Sequence, residues 1–225
     1  MNDPIRVALV DDQAMFRRGV SMIVRSQPDL RVVGEAGDGQ EAIALVEREQ
    51  PDVVLMDVRM PVLDGVRATE RILGDAARRG TPGPRIIVLT TFDLDADAAA
   101  AIRAGASGFV LKDADPDFLI AAIRTVHAGT AVVAASATRA LIERFGPRAE
   151  HKPVPPAFEQ LTARERDVFA LASKGLSNSE IARTEYVSEA TVKTHISNVL
   201  TKLSLRDRVQ LVVFAYENDL VERER

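Results

Sequence analysis

Val53-Val54-Leu55-Met56-Asp57 is four apolar residues, two of them β-branched, ending in a carboxylate. A run this short and this apolar suits a strand buried on both faces of a parallel sheet. Ligands of such sheets bind at the carboxyl ends of the strands. That sets Asp57 at the mouth of a functional edge. A lone aspartate here more often simply ends a strand, so the rest of the chain has to decide.

Outward from this stretch, strand and helix signals alternate. Residues 5–11, 30–36, 85–90 and 108–112 are further short apolar runs. Between them, apolar residues recur at helical spacing: Met15, Phe16, Val20, Ile23 and Val24; then Ala42, Ile43, Leu45 and Val46; then Val66, Thr69, Ile72 and Leu73. A short helix of small residues is expected over 95–104, and a fifth from Asp115 or Pro116 through Phe118, Leu119, Ile123 and Val126. Gly37-Asp38-Gly39, the loop 59–65 and Gly80-Thr81-Pro82-Gly83-Pro84 are the breaks. Five alternations over residues 5–128 predict an α/β domain, a doubly wound five-stranded parallel sheet with helices on both faces.

The character changes after that. Residues 129–156 collect Gly146, Pro147, Pro153, Pro155 and Pro156 and are expected to be an interdomain linker, with one helix over 136–145. Residues 157–222 show no strand pattern. Helices are expected over 162–174, 177–185, 188–203 and 206–217, making a second, smaller all-α domain. Gly175 suits a helix C-terminus, and Ser177 and Ser188 suit N-caps.

Composition narrows the function. The chain has 225 residues, 46% hydrophobic and 28% charged, with a formal net charge of -4. That is ordinary for a globular protein and does not advertise a nucleic-acid binder, so any basic surface must be local. There are no cysteines, which removes disulfides, thiolate nucleophiles and cysteine zinc sites. The histidines, His127, His151 and His195, are too scattered for a metal site. No window reaches the roughly 20 apolar residues of a membrane span. Met1-Asn2-Asp3-Pro4 does not begin a secretory signal. A cytoplasmic protein with no membrane partner is expected.

Five polar residues fall at strand ends. The first strand delivers Asp11 and Asp12, the third Asp57, the fourth Thr90 and the fifth Lys112. Crowded carboxylates repel and are costly to bury without a cation. An oxygen-only site suits Mg²⁺, which keeps several waters and takes one or two carboxylates plus phosphate oxygens. A carboxylate beside that ion can act as a nucleophile and form an acyl phosphate. Thr90 can hydrogen-bond one phosphoryl oxygen and Lys112 can pair with another. Each residue alone has a dull reading, such as a helix cap or a solvated lysine. The set in one order along one sheet edge does not.

Val10-Asp11-Asp12, Asp57 through Gly65, Thr90 and Gly105 through Lys112 resemble the receiver domain of bacterial two-component response regulators, a flavodoxin-like fold. The resemblance covers residues 5–128. It implies that Asp57 accepts a phosphoryl group from a sensor histidine kinase. It implies that Asp11, Asp12, Asp57 and the backbone carbonyl of Arg59 bind Mg²⁺. Thr90, Thr91, Phe109 and Lys112 would form the phosphoryl-binding and switch set, with Phe109 turning inward as Thr90 moves. Plain core packing of Phe109 would give the same local sequence. One departure is Asp113, where many receivers have proline after the lysine. Arg59 and Phe92 stand where the family tunes the lifetime of the phosphoryl group.

In the helical domain, Ile181 and Ala182 on one helix and Val192, Ile196, Val199 and Leu200 on the next can pack together. The opposite face of the second helix shows Lys193, Thr194, Ser197 and Thr201. Short hydroxyls with one long cation fit a major groove. An amphipathic pair with a solvated face fits equally. From Leu161 to Arg225, ten Lys/Arg balance ten Asp/Glu, which favours localised contacts over a broad electrostatic footprint.

Leu161 through Arg166, Gly175 through Asn178, Glu180-Ile181-Ala182, Val187-Ser188, Thr191 through His195 and Lys202-Leu203 resemble the LuxR-type helix-turn-helix. With the receiver, the whole chain is similar to the NarL/FixJ family of response regulators. The resemblance implies that Lys193, Thr194 and Ser197 approach base edges, with Thr191, His195 and Lys202 as weaker candidates for phosphate contact. Packing or capping accounts for His195 as well. In that family the last helix carries the dimer contact. Here it is apolar nearly all round, so Val209, Val212, Val213 and Tyr216 belong either to a two-fold interface or to the core.

The expectation is a phosphorylation-controlled transcription regulator, not an enzyme beyond slow self-dephosphorylation. Its partners would be a histidine kinase, duplex DNA with inverted half-sites and, when active, a second copy of itself. Two alternatives remain at the level of sequence. One is a Mg²⁺-dependent phosphohydrolase with an aspartyl nucleophile. The other is a DNA-binding protein whose receiver is only a scaffold.

Overall fold

The structure, a computed structural model, describes residues 3–90, 96–128, 155–218 and 220. The chain divides into two compact units, Met1–Val132 and Val133–Arg225. The expected linker over 129–156, with its helix over 136–145, lies almost wholly outside the described residues. Thr91 and Phe92 lie outside them too.

The first unit alternates strand and helix: β1 (Ile5–Val10), α1 (Ala14–Arg25), β2 (Leu30–Ala36), α2 (Gly39–Glu49), β3 (Val53–Asp57), α3 (Gly65–Arg78), β4 (Arg85–Thr90), α4 (Ala96–Arg103), β5 (Gly108–Leu111) and α5 (Pro116–His127). The strands form one sheet of order β2-β1-β3-β4-β5, with every neighbouring pair parallel. β3 is central, and all five of its residues are buried. That is why its sequence carries no period-two alternation: both of its faces are covered by helices. Val7, Leu9, Val53, Leu55, Ile87, Leu89 and Val110 from the sheet pack with Val20 and Val24 of α1 and with Leu119, Ile123 and Val126 of α5.

The register fixes the functional edge. Met56 pairs with Val10 and Val88, and Asp57 pairs with Leu89. Thr90 pairs with Leu111. Asp11, Asp57, Thr90 and Lys112 thus leave the sheet at the same carboxyl end, where the order reverses between β1 and β3.

Local chemistry sets the helix starts. Asp38 caps α2, accepting from the backbone N–H of Gln40 and Glu41 at 2.8 and 2.9 Å. The sequence places Asp38 inside a simple turn; it opens the helix because its carboxylate satisfies otherwise orphaned donors. Asp64 caps α3 through Arg67 N–H at 2.8 Å. Gly65 has no room for a side chain, since a Cβ there would stand 1.9 Å from the Asp57 carbonyl oxygen.

The second unit holds α6 (Pro156–Glu159), α7 (Ala163–Ser173), α8 (Asn178–Glu185), α9 (Glu189–Lys202) and α10 (Arg208–Glu217). Its core gathers Leu161, Val168, Phe169, Ile181, Val192, Ile196, Val199, Leu203, Leu211 and Ala215. Phe169 is the centre, with Phe158 edge-on at 5.0 Å and Phe214 at 6.4 Å between ring centroids. The short α6 departs from the sequence expectation, because the prolines beside it read as linker. It carries Phe158 onto Phe169. Thr162 with Glu165, and Ser177 with Glu180, form reciprocal capping boxes. Ser188 caps α9 as its sequence suggests. Gly175, with φ of 94°, follows the end of α7.

No helix among the described residues is long and apolar enough to cross a membrane.

Candidate functional site: an acidic sheet edge and a helix pair

β1 ends in Asp11, which is buried, while Asp12 is exposed. Asp11 is held from three sides. Its N–H donates to the Ala36 carbonyl at 3.1 Å, its Oδ1 accepts from the Gln13 N–H at 2.8 Å, and its carbonyl accepts from the Arg17 guanidinium. Arg17 Nε in turn lies 3.5 Å from Glu35 Oε2.

Asp57 is buried at the end of β3, and the Lys112 ammonium reaches across to it. Lys112 Nζ lies 2.7 Å from Asp11 Oδ2 and 2.9 Å from Asp57 Oδ2. The Lys112 backbone N–H donates to the Thr90 carbonyl at 2.7 Å, which ties the lysine to the end of β4. Lys112 Nζ also stands over the Phe16 ring, 5.0 Å from its centroid. Burial pushes the Asp57 carboxyl up, against the pull of Lys112, and neighbouring Asp11 adds to the rise. Burial also works against the Lys112 cation, but its hydrogen bonds to Asp11 and Asp57 outweigh this and hold its pKa above the usual lysine range.

The acidic set fits a divalent cation. Asp11, Asp12 and Asp57 each offer an oxygen, and these lie within 4.8 Å of one another. One lysine balances at most one of the three carboxylates. Two of the three are buried, and the negative charge left over is what a small oxygen-seeking ion such as Mg²⁺ relieves. A cleft of about 790 Å³ opens beside Asp12, lined by Arg59, Met60 and Arg67 among others.

Thr90 is buried at the end of β4, and Phe109 is half-buried on β5. The Arg59 backbone N–H hydrogen-bonds toward Asp57. Val62 in the same loop takes φ of 65°, and the Leu63 N–H closes a tight turn on the Pro61 carbonyl at 2.7 Å. Phe16 and Arg17 read in the sequence as ordinary positions of α1. Only the fold shows that they reach the acidic edge. Their spacing from Asp11, one helical turn into α1, is the signal the sequence offers.

In the second unit, Lys193, Thr194 and Ser197 are exposed together on α9, with Asn198 beside them. Asn198 is a polar member of that exposed face that the sequence pattern does not single out. Thr191 is half-buried and its hydroxyl lies 2.8 Å from Ser188 Oγ, so it serves the helix cap. His195 is half-buried, with Nδ1 enclosed. Lys202 Nζ lies 2.7 Å from Glu165 Oε2 and 3.3 Å from the Gln160 carbonyl. That ion pair holds α9 against the start of α7. Glu165 is drawn down to about 2 by Lys202 and by the Thr162 N–H. On α10, Leu211 and Ala215 join the helical core. Val209, Val212 and Val213 are buried as well, and Tyr216 is half-buried. Arg208 anchors the helix through Asn178 Oδ1 at 2.8 Å and the Leu176 carbonyl. Its burial lowers its pKa to about 10.

This sheet edge and helix pair are those of a known class. The response regulator receiver domain family matches residues 7–124, and the bacterial regulatory protein, luxR family, matches residues 159–215. The chain belongs to the response regulators that join a receiver to a LuxR-type helix-turn-helix. It is a two-component DNA-binding transcription regulator, not a classical enzyme.

Among similar proteins is the transcriptional regulatory protein YxjL of Bacillus subtilis (strain 168), 42% identical over 221 residues, covering 98% of this chain and 99% of that one. Response regulator protein VraR of Staphylococcus aureus is 36% identical over 218 residues, covering 97% and 99%. The crystal structure of response regulator ChrA of a heme-sensing two-component system is 34% identical, with a TM-score of 0.52, covering 98% of this chain and all of that one. A LuxR-family two-component response regulator from Aurantimonas sp. SI85-9A1 is 33% identical, with a TM-score of 0.56, over 63% of this chain and 98% of that one.

Proposed function

We propose that Asp57 is the phosphoacceptor of this regulator, and that its modification controls a DNA-binding dimer. The observation that carries the reading is the Lys112 ammonium bridging Asp11 and Asp57 at the carboxyl edge of the sheet. Residues 5–128 form the receiver, 157–222 the DNA-binding domain, and 129–156 join them.

A carboxylate oxygen of Asp57 attacks the phosphorus of a phosphohistidine on the sensor kinase. The new O–P bond makes an acyl phosphate as the P–N bond breaks; the electron pair of that bond stays on the kinase imidazole nitrogen, which takes a proton from water. Asp11, Asp12, Asp57 and the Arg59 carbonyl would hold Mg²⁺, which supplies charge neutralisation for the phosphoryl oxygens. Lys112 pairs with one phosphoryl oxygen and the Thr90 hydroxyl donates to another. Thr90 moving toward the phosphoryl group leaves space that Phe109, half-buried in the structure, turns into. Slow hydrolysis of the acyl phosphate resets the receiver.

On the DNA side, Lys193, Thr194 and Ser197 read base edges, and Asn198 adds an amide to that face. Thr191, His195 and Lys202 contribute weakly, since Thr191 and Lys202 are engaged within the domain. Val209, Val212, Val213 and Tyr216 would make a two-fold contact that phosphorylation favours. The DNA would carry inverted half-sites. Work on DNA makes the protein cytoplasmic.

The test is phosphoryl uptake from acetyl phosphate with Mg²⁺, followed by intact mass. Wild type gains one phosphoryl group and Asp57→Asn gains none. Equal uptake by Asp57→Asn refutes the assignment.

A further inference from the structure

We propose that Phe16 is a positioning residue for Lys112, its ring acting as the third partner of the ammonium at the phosphoryl-transfer site. This rests on the reading of Asp57 as phosphoacceptor. The ammonium sits between two carboxylates, with Asp11 Oδ2 at 2.7 Å and Asp57 Oδ2 at 2.9 Å as ion-pair partners. The Lys112 side chain is only 8% exposed, which leaves water little access to it. Among the described residues its third close partner is the face of Phe16, 5.0 Å away at its centroid, within the range of a cation–π contact.

The ring is fixed in place. Phe16 lies in the first turns of α1 and packs against the sheet core. The next residue, Arg17, grips the Asp11 carbonyl, so one segment of α1 steadies both the acid and the lysine. A π face suits this task because it attracts the cation without fixing the direction of any one N–H. When a phosphoryl group forms on Asp57, the ammonium must turn from a carboxylate to a phosphoryl oxygen. Over a ring it can pivot without being drawn off toward Asp11.

The experiment compares wild type, Phe16→Leu, Phe16→Tyr and Asp57→Asn in full-length protein. Phosphoryl uptake is timed by intact mass with acetyl phosphate and Mg²⁺. In this reaction the Asp57 oxygen forms the new O–P bond, and acetate leaves with the electron pair of the broken one. Phe16→Leu keeps apolar bulk and loses the ring; it is expected to slow the maximal rate about three- to tenfold, with the donor concentration for half-maximal rate unchanged. Phe16→Tyr keeps the ring and should stay within about twofold of wild type. In wild type, the Lys112 ε-methylene protons should show an upfield ring-current shift by NMR, retained in Phe16→Tyr. A leucine variant as fast as wild type, a tyrosine variant as slow as leucine, or no ring-current shift overturns the inference. Wild type gaining no mass overturns the phosphoacceptor reading itself, a separate and recognisable failure.

Discussion

Lys112 Nζ lies 2.9 Å from Asp57 Oδ2, with the two side chains only 8% and 7% exposed. If Asp57 is the phosphoacceptor, as proposed, a cation this enclosed beside its carboxylate is already aimed at where phosphoryl charge would develop. Lys112→Gln should slow phosphoryl uptake by roughly 10²–10³-fold, the usual effect of removing one preorganised donor. A time course of intact mass with acetyl phosphate measures it.

The three carboxylates and single lysine predict a strong coupling between Mg²⁺ and stability. Because burial raises the Asp57 pKa, ionising this group is less favourable folded than unfolded. Its contribution to stability therefore falls as pH rises through the carboxylate range. Without Mg²⁺ at neutral pH, Asp57→Asn should unfold at higher denaturant than wild type. Saturating Mg²⁺ should stabilise wild type, by about 2.7 kcal/mol at a hundredfold excess over its dissociation constant, and have a smaller effect on Asp57→Asn. Urea melts with Mg²⁺ and with chelator check both.

Gly65 is packed against the backbone of Asp57, since its absent Cβ would stand 1.9 Å from the Asp57 carbonyl. Gly65→Ala must push the loop away and should cost about 1–3 kcal/mol or more. Val62, 84% exposed and at φ of 65°, predicts the reverse. A β-branched residue is strained there and buries nothing, so Val62→Gly should gain about 0.5–1 kcal/mol. Chemical denaturation of the two variants decides.

Acid sensitivity in the helical domain should track Glu165. Its folded pKa is about 2, against 4.5 for an ordinary glutamate, so the pair with Lys202 stabilises the domain above about pH 4.5 and is lost as pH falls toward 2. The loss is on the order of 2 kcal/mol. Glu165→Gln should be less stable at pH 7 and should flatten the decline between pH 4.5 and 2. Melting followed by circular dichroism across that range measures it.

The apolar runs before Asp11, Asp57 and Thr90 make the sheet and its acidic edge legible from sequence, because a doubly covered strand has little other way to be written. The α8 and α9 boundaries are legible through Ser177 and Ser188, whose hydroxyls cap those two helices. Other features are not. Phe16 looks like any core position of an amphipathic helix, and its proximity to Lys112 joins residues 96 positions apart. Lys202 looks like a free surface cation, but it faces Glu165 across the domain. The Pro-rich composition before residue 157 hides α6, whose reason for folding is Phe158 against Phe169. Such long-range pairs are set by packing, which a local pattern does not encode.

The most direct test of control through Asp57 is duplex binding. Duplexes selected from random sequence on the phosphorylated full chain would be titrated with wild type and Asp57→Asn, each treated with acetyl phosphate and Mg²⁺ at fixed salt. The account predicts wild type binding at least about tenfold tighter, a difference of about 1.4 kcal/mol, with loss of that gain when the donor is omitted. Equal affinity of Asp57→Asn and phosphorylated wild type would contradict it.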